Sequence, residues 1–205
     1  DTATIDAEIG SLSIAGGLIS VAVGLSLADN RAENTVNAFI IESSVTATGG
    51  GISVTANSNP TIDTRTAAVA LSVGIGVAGA GADSRTAIEV TTEAYLRSAT
   101  LSATGHDVLV HATSTSLATP FTLGASGGAL AINLVNAEAS ILGSTLAYVA
   151  GNSRVTADNL DVKALDTNTA EPQTSVAAAG LITINAATTD IQLRRVTEAR
   201  VEENT

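Results

Sequence analysis

At 205 residues and 45 % apolar content the chain has material for a sizeable core, yet it holds only two Phe and two Tyr, with no Trp and no Met. Its core must therefore be layered from Val, Ile, Leu and Ala, which suits an elongated object better than a globe. A net charge of −11, with 20 Asp plus Glu against 9 Lys plus Arg, argues against nucleic acid and anionic membrane surfaces, and the absence of Cys excludes disulfides and thiolate metal sites.

The chain opens at Asp1 already inside a β-like alternation, DTATIDAEI, and is read as a processed product or a piece of something larger. From Ser11 an apolar run follows, SLSIAGGLISVAVGLSLA. In it Val21, Val23, Leu25 and Leu27 alternate with Ala22, Gly24, Ser26 and Ala28, a period of two that marks a strand. One face is bulky and the other tiny, so a second layer can approach the tiny face closely. Leu12 and Ile14 fall off this parity, and Gly16-Gly17 is expected to form a corner. Ile9 to Ala28 carries no charge over 20 residues, near the length of a spanning helix. Its Ser, Gly and strand alternation oppose that reading, and four aromatic residues are too few for the girdles of a membrane barrel. No membrane insertion is expected.

Shorter Thr/Val-rich pieces come next, Val45 with Ala47 and Ile52 with Val54 and Ala56. A second apolar run starts at Ala67, AAVALSVGIGVAGAGA, where Val69 to Val77 again oppose small residues. Within it Gly74, Gly76 and Gly79 match G-x-G-x-x-G, the outline of a dinucleotide fingerprint. That fingerprint needs a helix next, and Ala80-Gly81-Ala82-Asp83 is a poor helix start. Ala78 to Asp83 also resembles one copy of a calcium nonapeptide, with Arg85 in the apolar position.

His106 and His111, the only histidines, lie in a Thr/Val segment. A third apolar run begins at Leu123, and Gly124, Ser126 and Gly128 match G-x-S-x-G. A hydrolase of that type needs a later His, and both histidines come earlier. Gly127-Gly128 is the expected corner here. Asp158, Asp161 and Asp166 offer oxygen ligands but read as solvated charges. After a fourth apolar run from Ser175, Asp190 to Glu203 is the best helical candidate, with a poor period.

These elements repeat. Ser44-Val-Thr-Ala-Thr-Gly49 returns as Thr100-Leu-Ser-Ala-Thr-Gly105, and Ile52 to Ser58 returns at Val108 to Ser114 and at Leu160 to Asp166. Phe39, Tyr95 and Tyr148 share one repeat position. The sequence predicts one continuous repeat domain over 1–205, with units at 11–66, 67–122, 123–174 and a partial 175–205. The expected fold is all-β, a repetitive parallel β-solenoid (β-helix) built from about 52–56-residue units. An antiparallel β-sandwich repeat is the alternative. With two or three rungs per unit rising roughly 10–14 Å at 4.8 Å per strand, the three rings would mark one face without touching.

Blocks such as Val45-Thr-Ala-Thr-Gly-Gly-Gly-Ile-Ser-Val-Thr-Ala56, alternating with Ala/Gly/Val-rich stretches, resemble the repeat regions of very large exported bacterial proteins, the haemagglutinin-like and leukotoxin-like surface adhesins. The resemblance rests on composition and rhythm over nearly the whole chain. It implies secretion, a β-helix stalk, and a role in adhesion or extracellular fibres, with no catalytic residues to carry over. The unit here is longer than one rung of the haemagglutinin type.

The expected function is a structural or adhesive scaffold segment of a secreted or cell-surface bacterial protein, with a filament-forming module as a further expectation, and not an enzyme. Neither catalytic nor cofactor-binding residues are expected. Self-association is expected end to end, through open ladder edges near Ile5 and Ile9 and near Val196 and Val201, or with neighbouring repeats of the same polypeptide. A host-surface or glycan partner is a further expectation. A carbohydrate-binding or carbohydrate-processing β-helix module is the second reading, weakened by a single Lys, Lys163, and no Trp. A calcium-stabilised adhesin extender is the third.

Overall fold

The computed structural model describes residues 1–202. The described residues are all-β, without a helical turn. Eleven strands follow in order: β1 (Thr4–Ile41), β2 (Ser44–Thr46), β3 (Ile52–Ser58), β4 (Thr61–Arg97), β5 (Thr100–Ala103), β6 (Val108–Gly127), β7 (Leu130–Ala150), β8 (Arg154–Ala157), β9 (Leu160–Ala170), β10 (Gln173–Ala179) and β11 (Ile182–Val201). The helical candidate at Asp190 to Glu203 is corrected as far as Val201, where β11 is extended; Glu203 lies outside the described residues.

Each pairing is parallel, which corrects the antiparallel sandwich alternative. Antiparallel neighbours would meet across short hairpins, whereas here Ile19 pairs with Ile75, Val77 with Leu130 and Ile182 with Leu130. The larger sheet has eight strands, β10-β6-β4-β7-β11 with β1, β3 and β9 joined to it, and β2, β5 and β8 form a separate three-stranded sheet.

The apolar runs are bent double. In β1 the register shifts between Gly16 and Ile19, and in β4 Gly74 holds φ +108° at the equivalent bend. The extra residue at the first bend explains the parity break: Leu12 and Ile14 face outward before it, and Val21 to Leu27 face outward after it. The expected corner at Gly127-Gly128 falls between β6 and β7. The two limbs then face each other. Ser26 Oγ donates to Ile9 O at 3.0 Å, and Thr122 Oγ1 donates to Asn136 O at 2.8 Å.

The tiny face lies inside this two-layer wing. Ala22, Ala68, Ala70, Ala78, Ala80 and Ala82 are buried there with Val135. The layers are so close that a Cβ on Gly24 would sit 2.7 Å from Val69 O, and one on Gly124 2.6 Å from Val135 Cγ1. Further along, the interior widens to admit Ile62, Ile88, Val90 and Ile141. At the far end the three-stranded sheet supplies a third side, and the core becomes Ile52, Val54, Leu96, Leu101, Val108, Val110 and Val149. Interior residue size thus follows the number of enclosing walls.

A left-handed corner recurs before the three-stranded sheet. Glu42, Ser98 and Asn152 hold φ of 45°, 52° and 60°, and Glu42 N donates to Arg97 O at 3.0 Å. None is Gly, so each carries backbone strain of about 1 kcal/mol.

Candidate functional site

The sequence motifs are dispersed by the fold. Gly74, Gly76 and Gly79 lie in β4, which continues as strand to Arg97, so no helix N-terminus is offered to a phosphate. The glycines answer packing instead. A Cβ on Gly74 would collide with Gly17 O, and one on Gly76 with the hydroxyls of Ser72 and Ser20, which hydrogen-bond to each other. Asp83 accepts from Asn136 Nδ2 at 2.8 Å and pairs with Arg85 at 3.2 Å.

Ser126 is buried in β6, its hydroxyl without a hydrogen-bond partner. His111 lies on the same strand, separated from it by roughly 50 Å of extended chain at 3.3 Å per residue. Its Nε2 is 2.8 Å from an Asp161 oxygen, and His106 sits in the turn between β5 and β6. No nucleophile–base pair forms from these residues.

The three aspartates part company. Asp158 Oδ1 accepts from Gly105 N at 3.2 Å, Asp161 pairs with His111, and Asp166 pairs with Arg195. Among the described residues no three His, Cys, Asp or Glu side chains converge on a metal-sized site. The calcium-extender reading therefore gains no ligand cluster.

Phe39, Tyr95 and Tyr148 do meet. They are successive partners in the ladder, with ring centroids 5.5 Å and 4.9 Å apart, stacked at 21° and 2°. This corrects the expectation that the rings would not touch. That expectation put two or three strand spacings in each unit, whereas residues one repeat apart are hydrogen-bonded neighbours. Arg200 extends the column, its guanidinium 5.2 Å from the Tyr148 centroid. Desolvation, then the charge of Glu93, raises the Tyr148 pKa above its ordinary value.

Two assemblies were not anticipated. The first is a buried ion pair. Arg195 and Asp166 side chains are only 6 % and 4 % exposed, with Nε 2.9 Å from Oδ2 and Nη2 3.2 Å from Oδ1. The remaining donors reach Val90 O, Leu142 O, Ser114 Oγ and Thr145 Oγ1 at 2.6–3.0 Å. Gly143 stands between Val90 and Arg195 in the ladder, and a Cβ there would lie 2.9 Å from Nη1. The guanidinium thus fills the interior space that Gly143 leaves. Arg195 is one of several arginines in a polar run, so nothing in the local sequence marks it as buried.

The second is an open groove of about 610 Å³ across the outer face of the first limb, at the base of the wing. Glu8, Arg65, Phe121 and Gln173 are successive ladder partners in its floor, flanked by Asp63 and Glu171. The groove coincides with a break in pairing: Thr119 and Pro120 face Glu171 and Pro172 between β9 and β10. It presents carboxylates, one guanidinium, one amide and one aromatic ring, a set that can hydrogen-bond and stack on a polar ligand. The residues of the column have nothing in common by type, so no sequence motif announces it.

Comparison with family models, with curated proteins and with solved structures finds no match. The class is therefore defined by the architecture alone: an all-β protein of parallel strands whose neighbours lie 50-odd residues apart in the chain. Among the described residues no helix is long and apolar enough to cross a membrane.

Proposed function

We propose that the chain is a segment of a parallel β-solenoid in which each turn of 52–57 residues adds one strand spacing, and that it serves as a structural or adhesive scaffold rather than as an enzyme. The observation that carries this reading is the residue-for-residue ladder. Like side chains stack on like along one axis: Phe39–Tyr95–Tyr148, Thr66–Thr122 at 3.3 Å and Asn133–Asn185 at 2.8 Å. Such a body gains stiffness from backbone bonds between every pair of turns and grows by about 4.8 Å per turn. Together with the resemblance to giant exported adhesins, this favours a secreted or cell-surface bacterial stalk that displays or spaces other domains, with open ladder edges at β1 and β11 available for end-to-end continuation. Four turns rise only about 19 Å, so electron microscopy of longer tandem stretches of the parent material tests it. Thin rods whose length scales with the number of repeats are expected; compact globular particles would refute it.

A second reading, a glycan-binding module, is favoured by the groove, where Phe121 supplies a stacking face beside Arg65, Glu8 and Glu171. Saccharide titration followed by Phe121→Ala tests it: binding abolished by the substitution supports the module, and an unchanged isotherm removes the groove from it.

A further inference from the structure

We infer that the wing is a lateral docking surface for a second copy of this chain, the outer aliphatic faces of two wings packing together as sheet on sheet. This rests on the solenoid reading for its geometry, but not on the end-to-end contacts.

The wing is a bounded zone. Residues 9–28, 66–82, 122–137 and 174–189 contain no charged side chain, and the ladder aligns these four stretches. One border is the column Glu8–Arg65–Phe121–Gln173; the other is Asp29–Arg85–Glu138–Asp190. Inside the borders the small residues face inward and the bulky aliphatics face solvent, the reverse of an ordinary sheet protein. The exposure is not confined to the outermost strands. In the middle of the ladder Val73 is 66 %, Ile75 77 % and Leu134 58 % exposed.

The size decides that this surface has an occupant. The second limb alone carries Ile19, Val21, Val23, Leu25, Ile75 and Leu134 outward, with others in line. At roughly 100 Å² open per side chain, that face presents about 800–1,000 Å². This exceeds the ~300–600 Å² of the largest patch on a typical monomer and equals one partner's share of a standard interface.

The chemistry favours a second copy over lipid. The wing ends in turns at Gly17-Leu18, Gly128-Ala129 and Gly180-Leu181, whose backbone would lie unpaired in hydrocarbon. It carries neither Trp, Tyr nor Lys to sit at headgroup level. A second wing offers the same rows of Val, Leu and Ile, which interdigitate at the ~10 Å spacing of packed sheets. The net charge of −11 lies outside the wing, so contact there is the approach of least repulsion between copies. Salt, by screening that repulsion, strengthens the association.

Sedimentation velocity of the 205-residue chain across concentration and salt is the test. Wild type is expected to double in mass, at lower concentration as salt rises. Ile75→Asp with Leu134→Asp is expected to remain monomeric with unchanged circular dichroism, because both side chains are outward. As a second measurement, Val77→Cys in this cysteine-free chain is expected to give disulfide-linked dimers on mild oxidation, and Lys163→Cys is not. A wild type that stays monomeric throughout, or association that survives the double substitution, overturns the proposal. Survival with elongated particles would point instead to end-to-end joining. Unfolding of the double variant would refute the underlying geometry, since it would place Ile75 and Leu134 inside. Flotation of a monomeric wild type with phosphatidylcholine vesicles would make lipid the occupant and also overturn it.

Discussion

Replacing Arg195 by Ala should unfold the part of the ladder around β9 and β11. The guanidinium, carried on β11, reaches four other strands, touching Val90 on β4, Leu142 and Thr145 on β7, Ser114 on β6 and Asp166 on β9. Its removal leaves the Asp166 carboxylate buried without a counter-charge and four acceptors without a donor. Breaking one side of a buried pair costs about 3–5 kcal/mol, of which the stranded charge is the largest share. Asp166→Ala should cost a similar amount by stranding the guanidinium. Arg195→Leu with Asp166→Leu should recover most of the loss, because neither charge is then buried. Equilibrium urea unfolding of the four proteins gives the coupling energy. Hydrogen exchange should localise the single-variant loss to β9 and β11. Single variants within about 1 kcal/mol of wild type, additive in the double, would mean that the pair is solvated, and would refute the account of a charge sealed in the interior.

Three more outcomes are expected. Tyr95→Ala removes both stacking contacts of the aromatic column and should cost about 1–3 kcal/mol in thermal or urea unfolding, whereas Tyr95→Phe should be near neutral; equal effects would assign the cost to something other than the rings. Gly24→Val should force the two wing layers apart, since even a Cβ there lies 2.7 Å from Val69 O; a loss of at least 2 kcal/mol (about the cost of overpacking) is expected, read as faster proteolysis of the wing. The raised Tyr148 pKa predicts an alkaline effect with a definite sign. The folded state holds the phenol proton more tightly than the unfolded state, so this contribution is fully present below pH 10.0, the ordinary value, and is lost as pH rises through the folded pKa. Unfolding titrations should show a stability decline above that pH that is absent in Tyr148→Phe.

How much of this was legible depends on whether an interaction follows the period. Alternation and repetition are properties of residue order, so parallel stacking of Ile52 on Val108 on Leu160 could be read from the sequence. The step per repeat could not: a spacing of 50-odd residues is compatible with neighbouring strands or with strands several spacings apart, and it is the ladder register, with the contacts of Phe39 with Tyr95 and of Tyr95 with Tyr148, that makes them neighbours. The bend at Gly16 was visible as a parity break, because one inserted residue reverses the facing of every side chain beyond it. Arg195 with Asp166 and the groove column Glu8–Arg65–Phe121–Gln173 were illegible for the opposite reason. Arg195 follows Asn34, Val90 and Gly143 at its repeat position, Asp166 follows Ser58 and Ser114, and the groove column changes type at every turn, so no motif accumulates.

The same logic explains why the wing's interior and surface are inverted relative to a usual sheet. Where three walls enclose the chain, Leu96, Leu101 and Val110 can point inward and still pack. Where only two walls remain, the gap between them is set by the backbone, and Ala, Ser and Gly are what fit. The strands must then turn their large residues outward or forgo them. Ser or Thr outward would keep the wing soluble at no cost to its interior, since the inward residues already fix the layer spacing. The chain instead places Val21, Val77, Leu130 and Ile182 in one outward column. Stacking between neighbouring strands of one copy covers part of this column but leaves Val21 64 % and Ile182 62 % exposed; burying the remainder against a second apolar surface would add about 25 cal/mol per Å².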